Sequence, residues 1–268
     1  MTADQILLSK AESYLLSFSE ITREMLDAHL APDPKPESLE GLFRRYCFSV
    51  SNKQRTPNVI KGTIGSLEAL SSVFCSFSPS ELVKKYRPEE SSKLFSDLQK
   101  NDVFKKHAVI NEAKRGTYPQ LCESVLSGAY FFSQFKDRDD FYHWADFFNK
   151  DERARLALPL ILSAEIHGLG FALACDFLKE IGYEGFGKPD VHLKEIFKGI
   201  GMMNADKKAG NDDLIAFKII LRIAKNTGRT PYAVDKILWL VGSGNFYSVG
   251  KVVKTNRDEF IRQVNQGA

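Results

Sequence analysis

The sequence predicts an all-α protein whose core comes from helix packed on helix, and three observations carry that prediction. Apolar residues recur at helical spacing, as in Leu42, Phe43, Tyr46 and Cys47. Strict apolar–polar alternation is scarce, because valine and isoleucine are scattered rather than clustered. The breaks between apolar stretches fall at prolines, glycines and capping residues, with no internal repeat and no low-complexity tract.

In chain order, residues 3–30 read as an amphipathic pair or one bent helix. The run Ala31-Pro32-Asp33-Pro34-Lys35-Pro36 cannot continue a helix and marks a boundary. A helix resumes over residues 39–50, and Thr56-Pro57 starts another with proline at an early position. Ser80, after Pro79, is read as the cap of a helix over residues 81–86. Tyr118-Pro119 opens a helix through Leu126, and Asp137, Asp139 and Asp140 surround a break before an aromatic helix, Phe141 to Phe148. The rings of that helix suit a core first and a stacking platform second.

Composition narrows the function less than it narrows the fold. The chain has 268 residues, 43% of them hydrophobic, which is enough for one large or two moderate domains. No apolar run is long enough to span a membrane, and residues 1–14 lack the basic head and apolar stretch of a secretory signal, so an intracellular protein without a membrane partner is expected. Cys47, Cys75, Cys122 and Cys175 are far apart and form no CxxC pair, which argues for buried thiols and against a disulfide framework, a metal site or an iron–sulfur cluster. A net charge of +3 is compatible with nucleic acid without demanding it. Neither a P-loop nor the HxE…PCxxC deaminase signature is present.

The informative stretch begins at Ile161. An apolar helix ends near Ile166, His167-Gly168-Leu169-Gly170 follows, and a second helix carries Phe171, Ala174, Cys175, Leu178 and Ile181 on one face, with Gly182 at its C-cap. Two glycines around one apolar residue allow a tight turn and a close backbone approach, with Leu169 pointing inward. The turn opens onto a helix N-terminus, whose N–H groups and dipole suit a phosphate oxygen. Such a grip positions a duplex without reading its bases. Gly187-Lys188-Pro189-Asp190-Val191-His192-Leu193 then places an aspartate 22 residues beyond Gly168.

Hairpin, helix and Pro-Asp-Val-His together resemble the helix-hairpin-helix DNA glycosylases with a glycine/proline-rich loop and an aspartate, the superfamily of endonuclease III, the adenine glycosylases and 8-oxoguanine glycosylase. The resemblance extends more weakly to Leu42–Gln54 and to Thr230–Trp239. It implies a two-lobed all-α fold with the active-site cleft between the lobes. Residues 38–183 would form a lobe ending in the hairpin, 184–268 a second lobe carrying the aspartate, and 1–37 would pack back on that second lobe. It implies a monomer acting on double-stranded DNA that carries a damaged or modified base, in repair or in defence against modified DNA. The base is flipped out of the stack before it is excised. Asp190 takes the catalytic role, opposing positive charge on the sugar and assisting water. It also stands where the cap of the next helix belongs, and one residue can serve both purposes.

His167, Gly168, Leu169 and Gly170 would hold the DNA backbone, Asn52 and Gln54 would fill the gap left by the extruded base or bond its orphaned partner, and Lys53 would bind DNA at a phosphate. Arg44, Arg45 and Arg55 could meet phosphates. Trp144, Trp239, Phe246 and His192, with Tyr247, are candidates for a base pocket, although each is also suited to a core. Bifunctional relatives carry a nucleophilic lysine in the second position after the last hairpin glycine, where this chain has Ala172. Lys179 and Lys188 lie near but off that position, so a monofunctional enzyme leaving an abasic site is expected. No cofactor is required, and a structural monovalent cation at the hairpin is the one ion the resemblance allows. Two other readings stay open: a non-catalytic DNA-binding module of the same fold, and an unrelated helical protein–protein adaptor. The base itself is not legible.

Overall fold

The computed structural model describes residues 1–53, 56–101, 103–204 and 211–266. Its helices in chain order are α1 (Ala3–Leu16), α2 (Arg23–Leu30), α3 (Leu39–Ser51), α4 (Thr56–Thr63), α5 (Pro79–Lys85), α6 (Ser91–Lys100), α7 (Thr117–Phe132), α8 (Arg138–Asn149), α9 (Ala157–Glu165), α10 (Phe171–Glu180), α11 (Val191–Gly199), α12 (Asp212–Thr227), α13 (Pro231–Ser243) and α14 (Arg257–Gln266). The only strands among the described residues are β1 (Asn245–Phe246) and β2 (Lys251–Val252), an antiparallel pair with Asn245 opposite Val252. The all-α expectation therefore holds. No described helix is long and apolar enough to cross a membrane.

The chain divides into two compact units, one of Met1–Asp33 with Leu178–Ala268 and the other of Pro34–Phe177, and one division falls inside α10. In the first unit α1 packs on α12 and α13, and α11 packs on both of those helices. Leu7, Leu8, Ala11 and Leu15 bury against Leu193, Ile196, Ile220, Ile237 and Leu240. Asp4 is buried where α1 meets α12, and it accepts from Arg222 Nε (3.1 Å) and Nη2 (3.0 Å) and from Asn226 Nδ2 (2.6 Å). A buried carboxylate is stable there because each oxygen has a donor.

The second unit is organised by α7, against which α3, α5 and α6 pack. Its centre is aromatic: Tyr46 lies 5.7 Å from Phe43 and 5.4 Å from Phe132, and Phe177 meets Tyr46, Phe132 and Phe141 edge-on. The Tyr46 hydroxyl is satisfied inside this core by the Ser124 carbonyl at 2.6 Å.

Local chemistry corrects several sequence expectations. Ser78, not Ser80, occupies the N-cap position of α5, without a side-chain bond to the helix, because Pro79 with its fixed φ takes the first helical position and draws Ser80 inside. The helix expected from Tyr118 to Leu126 runs on to Phe132, since Leu126, Ala129, Phe131 and Phe132 continue its buried face. Asp137 is a true cap, accepting from the Asp140 N–H, so α8 starts at Arg138 and not at Phe141. Cys47, Cys122 and Cys175 are buried thiols as expected, whereas Cys75 is half-buried.

Candidate functional site

In the second unit, α9 ends at Ile166 and α10 begins at Phe171, leaving His167–Gly170 as the hairpin turn. Leu169 is buried, and its N–H donates to the Ile166 carbonyl at 3.2 Å. Gly168 has φ +82°, a left-handed conformation natural only to glycine. A Cβ there would fall 2.0 Å from Ser124 Oγ. Gly170 is different: its φ is ordinary, and a Cβ would meet nothing within 4 Å. The Gly170 carbonyl accepts from Ala174 N–H at 2.9 Å and so starts α10, and Gly170 itself is exposed. The His167 N–H donates to Ser127 Oγ (2.9 Å), and its imidazole leans to Glu123 (3.5 Å).

In the first unit, the loop from Gly182 to Asp190 lies along the start of α13. The Tyr232 N–H donates to the Glu184 carbonyl at 3.1 Å. Gly187 is needed for the approach: a Cβ would come within 2.8 Å of the Pro231 carbonyl, 2.9 Å of Ile220 and 3.0 Å of Asp235. Lys188 N–H donates to Asp235 Oδ2 at 2.9 Å, and the Lys188 carbonyl accepts from Asp190 N–H at 2.8 Å. The loop then delivers Asp190 to the N-cap of α11, with Oδ1 accepting from Leu193 N–H at 3.2 Å. Burial, and next the like charge of Asp235, push the Asp190 carboxyl above the usual carboxylate range, against the opposing pull of the Leu193 N–H, His192 and Lys188. A carboxylate so placed is readier to take a proton than a surface aspartate.

Behind this loop lies a cluster of buried charge. Lys179, Asp235 and Lys236 are all nearly inaccessible. Lys179 Nζ donates to Asp235 Oδ2 at 2.6 Å, and Lys236 Nζ contacts the Tyr247 hydroxyl and lies 3.7 Å from Glu180. Asp235 Oδ1 is buried and has no hydrogen-bond partner among the described residues. Such an atom is rare in a native interior, where nearly every acceptor is paired. Burial and then Lys179 lower the Lys236 ammonium below its ordinary value. Burial, reinforced by Lys236 and Lys179, holds the His29 imidazole down at about 4. His29 lies parallel to Trp239 with 6.4 Å between ring centres, and it also meets Phe246 (5.7 Å) and Tyr247 (4.6 Å).

Among the candidates from the sequence, Asp190, His192, Trp239, Phe246 and Tyr247 all belong to this unit, and His192 meets Trp239 edge-on at 6.5 Å. Trp144 is placed otherwise. It sits in the second unit, packed on Phe131, Phe135, Phe141 and Phe148. Its ring packs among those four and stays partly exposed. Asn52 caps the C-terminus of α3 and is exposed, as is Lys53, whose Nζ reaches Gln120 at 3.4 Å; Gln54 and Arg55 lie outside the described residues. Arg44 is paired with Glu68. Among the described residues no group of three or more His, Cys, Asp or Glu could hold a metal ion.

Asp235, Lys236 and His29 were not singled out from the sequence. The readable sign was the Asp-Lys pair inside α13, an otherwise apolar helix, since adjacent charges are rarely buried without partners.

No family model and no curated protein matches this sequence. Among solved structures the chain is similar to the 8-oxoguanine glycosylase/lyase of Methanocaldococcus jannaschii in complex with a 15mer DNA containing 8-oxoguanine. That match has a TM-score of 0.54 and 18% identity over 92% of this chain and 99% of the other. It is also similar to the 8-oxoguanine DNA glycosylase of Thermotoga maritima, with a TM-score of 0.50 and 17% identity over 94% of this chain and all (100%) of the other. The likeness establishes the fold: the chain has the all-α helix-hairpin-helix glycosylase fold that its motifs resemble.

Proposed function

We propose that this chain, having the helix-hairpin-helix glycosylase fold, is a DNA glycosylase that excises a damaged or modified base. The observation that carries the reading is Asp190: a half-buried carboxylate at a helix N-terminus, one helix and one glycine/proline loop beyond a Gly-Leu-Gly hairpin. In this reading the hairpin binds backbone phosphate through N–H groups. The N-glycosidic bond breaks with its electron pair leaving on the base, and the Asp190 carboxylate opposes the cationic sugar. Water then adds at the anomeric carbon and gives up its proton to Asp190. Ala172 supplies no amine at the hairpin position of the bifunctional relatives, so the product is an abasic site in an uncut strand.

Both similar structures are described as acting on 8-oxoguanine. Oxidised guanine therefore heads the panel of substrates.

The test is incubation with duplexes carrying 8-oxoguanine, alkylated purines, hypermodified cytosines or mismatches, followed by mild alkali. Alkali-dependent breaks at one modified position, without borohydride trapping of the protein on DNA, are expected. Binding without release on every duplex would favour the non-catalytic DNA-binding module. Efficient trapping would overturn the monofunctional assignment.

A further inference from the structure

We propose that Asp235 is a positioning residue for Asp190, holding its loop and, balanced by Lys179, setting the pH at which the carboxylate works. The proposal rests on the glycosylase reading for its meaning but not for its test. Its geometric basis is a short relay through one peptide. Asp235 Oδ2 accepts the Lys188 N–H at 2.9 Å, and the Lys188 carbonyl accepts the Asp190 N–H at 2.8 Å. With Gly187 packed directly on Asp235 Cβ, the path of the loop is fixed by α13, not by α11 alone.

The same contacts make Asp235 an electrostatic control. Asp190 faces Asp235 from α13, Lys188 from its own loop, and His192 and the Leu193 N–H from α11. Asp235 in turn faces Lys179 at 2.6 Å from α10, with Lys236 beside it on α13 and Glu180 3.7 Å from Lys236. Asp190 thus feels a carboxylate whose field Lys179 partly cancels. Removing the carboxylate charge eases ionisation of Asp190; removing the Lys179 charge leaves Asp235 uncompensated and hinders it. Opposite responses of this kind do not arise from general damage to packing.

The experiment is a ¹³C-carboxyl NMR titration of Asp190 in the full chain without DNA, with the signal assigned through Asp190→Asn. Asp235→Asn keeps an acceptor for Lys188 N–H and should move the Asp190 midpoint to lower pH. Lys179→Gln should move it to higher pH. Once a substrate duplex is known, the acid limb of single-turnover base release should shift in the same two directions. A midpoint unchanged in both variants, or moved the same way by both, would overturn the proposal. Should Asp235→Asn fail to fold, Lys179→Gln decides alone, with an upward shift in support and an unmoved midpoint against. Because the titration uses no substrate, an inactive protein would count against the glycosylase reading and leave this result standing.

Discussion

Gly168 and Gly170 look alike in the sequence and differ in the structure, and alanine at each position separates their roles. At Gly168 an alanine must hold φ near +82°, which disfavours an L-residue by roughly 1–2 kcal/mol. Its Cβ would also lie 2.0 Å from Ser124 Oγ, so the serine must turn away from the Gln120 carbonyl it donates to at 3.0 Å. Losing that bond adds about 1 kcal/mol, for a total near 2–3 kcal/mol. Gly170→Ala meets nothing within 4 Å, and its stability should stay within about 0.5 kcal/mol of wild type. Urea unfolding monitored by circular dichroism reads both values. Ser124→Ala removes both the clashing hydroxyl and its bond to Gln120, so in that background adding Gly168→Ala should cost only the φ penalty of roughly 1–2 kcal/mol. If the hairpin grips phosphate, as proposed, both glycine variants should weaken binding to unmodified duplexes of any sequence. Equal destabilisation by the two alanines, or a binding loss confined to one base context, would refute this account of the hairpin.

Other perturbations test the first unit. His29 is held down at about 4 against 6.5 when unfolded, so between those values the unfolded chain binds a proton that the folded protein does not. Stability should fall with pH across that window by on the order of 2 kcal/mol after discounting for solvent screening. His29→Phe, which keeps a ring beside Trp239, should flatten the dependence in urea titrations at pH 6.5 and 4.5; an unchanged slope would dismiss the effect. Asp4→Ala leaves Arg222 and Asn226 without their shared acceptor and should lower stability by about 2 kcal/mol, less than a fully buried pair because Arg222 is half exposed. A loss under about 0.5 kcal/mol would show that solvent replaces Asp4. Asp190→Ala should remove the cap on Leu193 N–H and reduce stability by about 1 kcal/mol, while Asp190→Asn keeps most of it. Matching thermal midpoints for those two variants would contradict the capping role.

What could be read in advance was what is local in sequence. Gly168-Leu169-Gly170, the cap at Asp190 and the apolar face of α10 each follow from residues within a turn or two, and short-range sterics and capping decide them. The buried cluster escaped because its pairs are distant: Lys179 meets Asp235 across 56 positions, and His29 reaches Trp239 from the other end of the chain. The start of α5 is not legible because two serines flank Pro79 and only backbone geometry tells which one precedes the first helical residue. Trp144 was ambiguous for another reason. An aromatic on an amphipathic helix has the same spacing whether it faces a core or a ligand, and only the fold shows that Trp144 packs on Phe131 and Phe135 while staying partly exposed.

The central claim is that Asp190 breaks the glycosidic bond by opposing the cationic sugar. Its most direct test is single-turnover base release by Asp190→Asn on whichever duplex wild-type protein processes, with DNA affinity measured in parallel. Asparagine retains the size and much of the capping of aspartate but lacks the charge. Base release should fall by several orders of magnitude, while affinity stays close to wild type because phosphate contacts supply most of it. Base release at the wild-type rate by Asp190→Asn would contradict the claim.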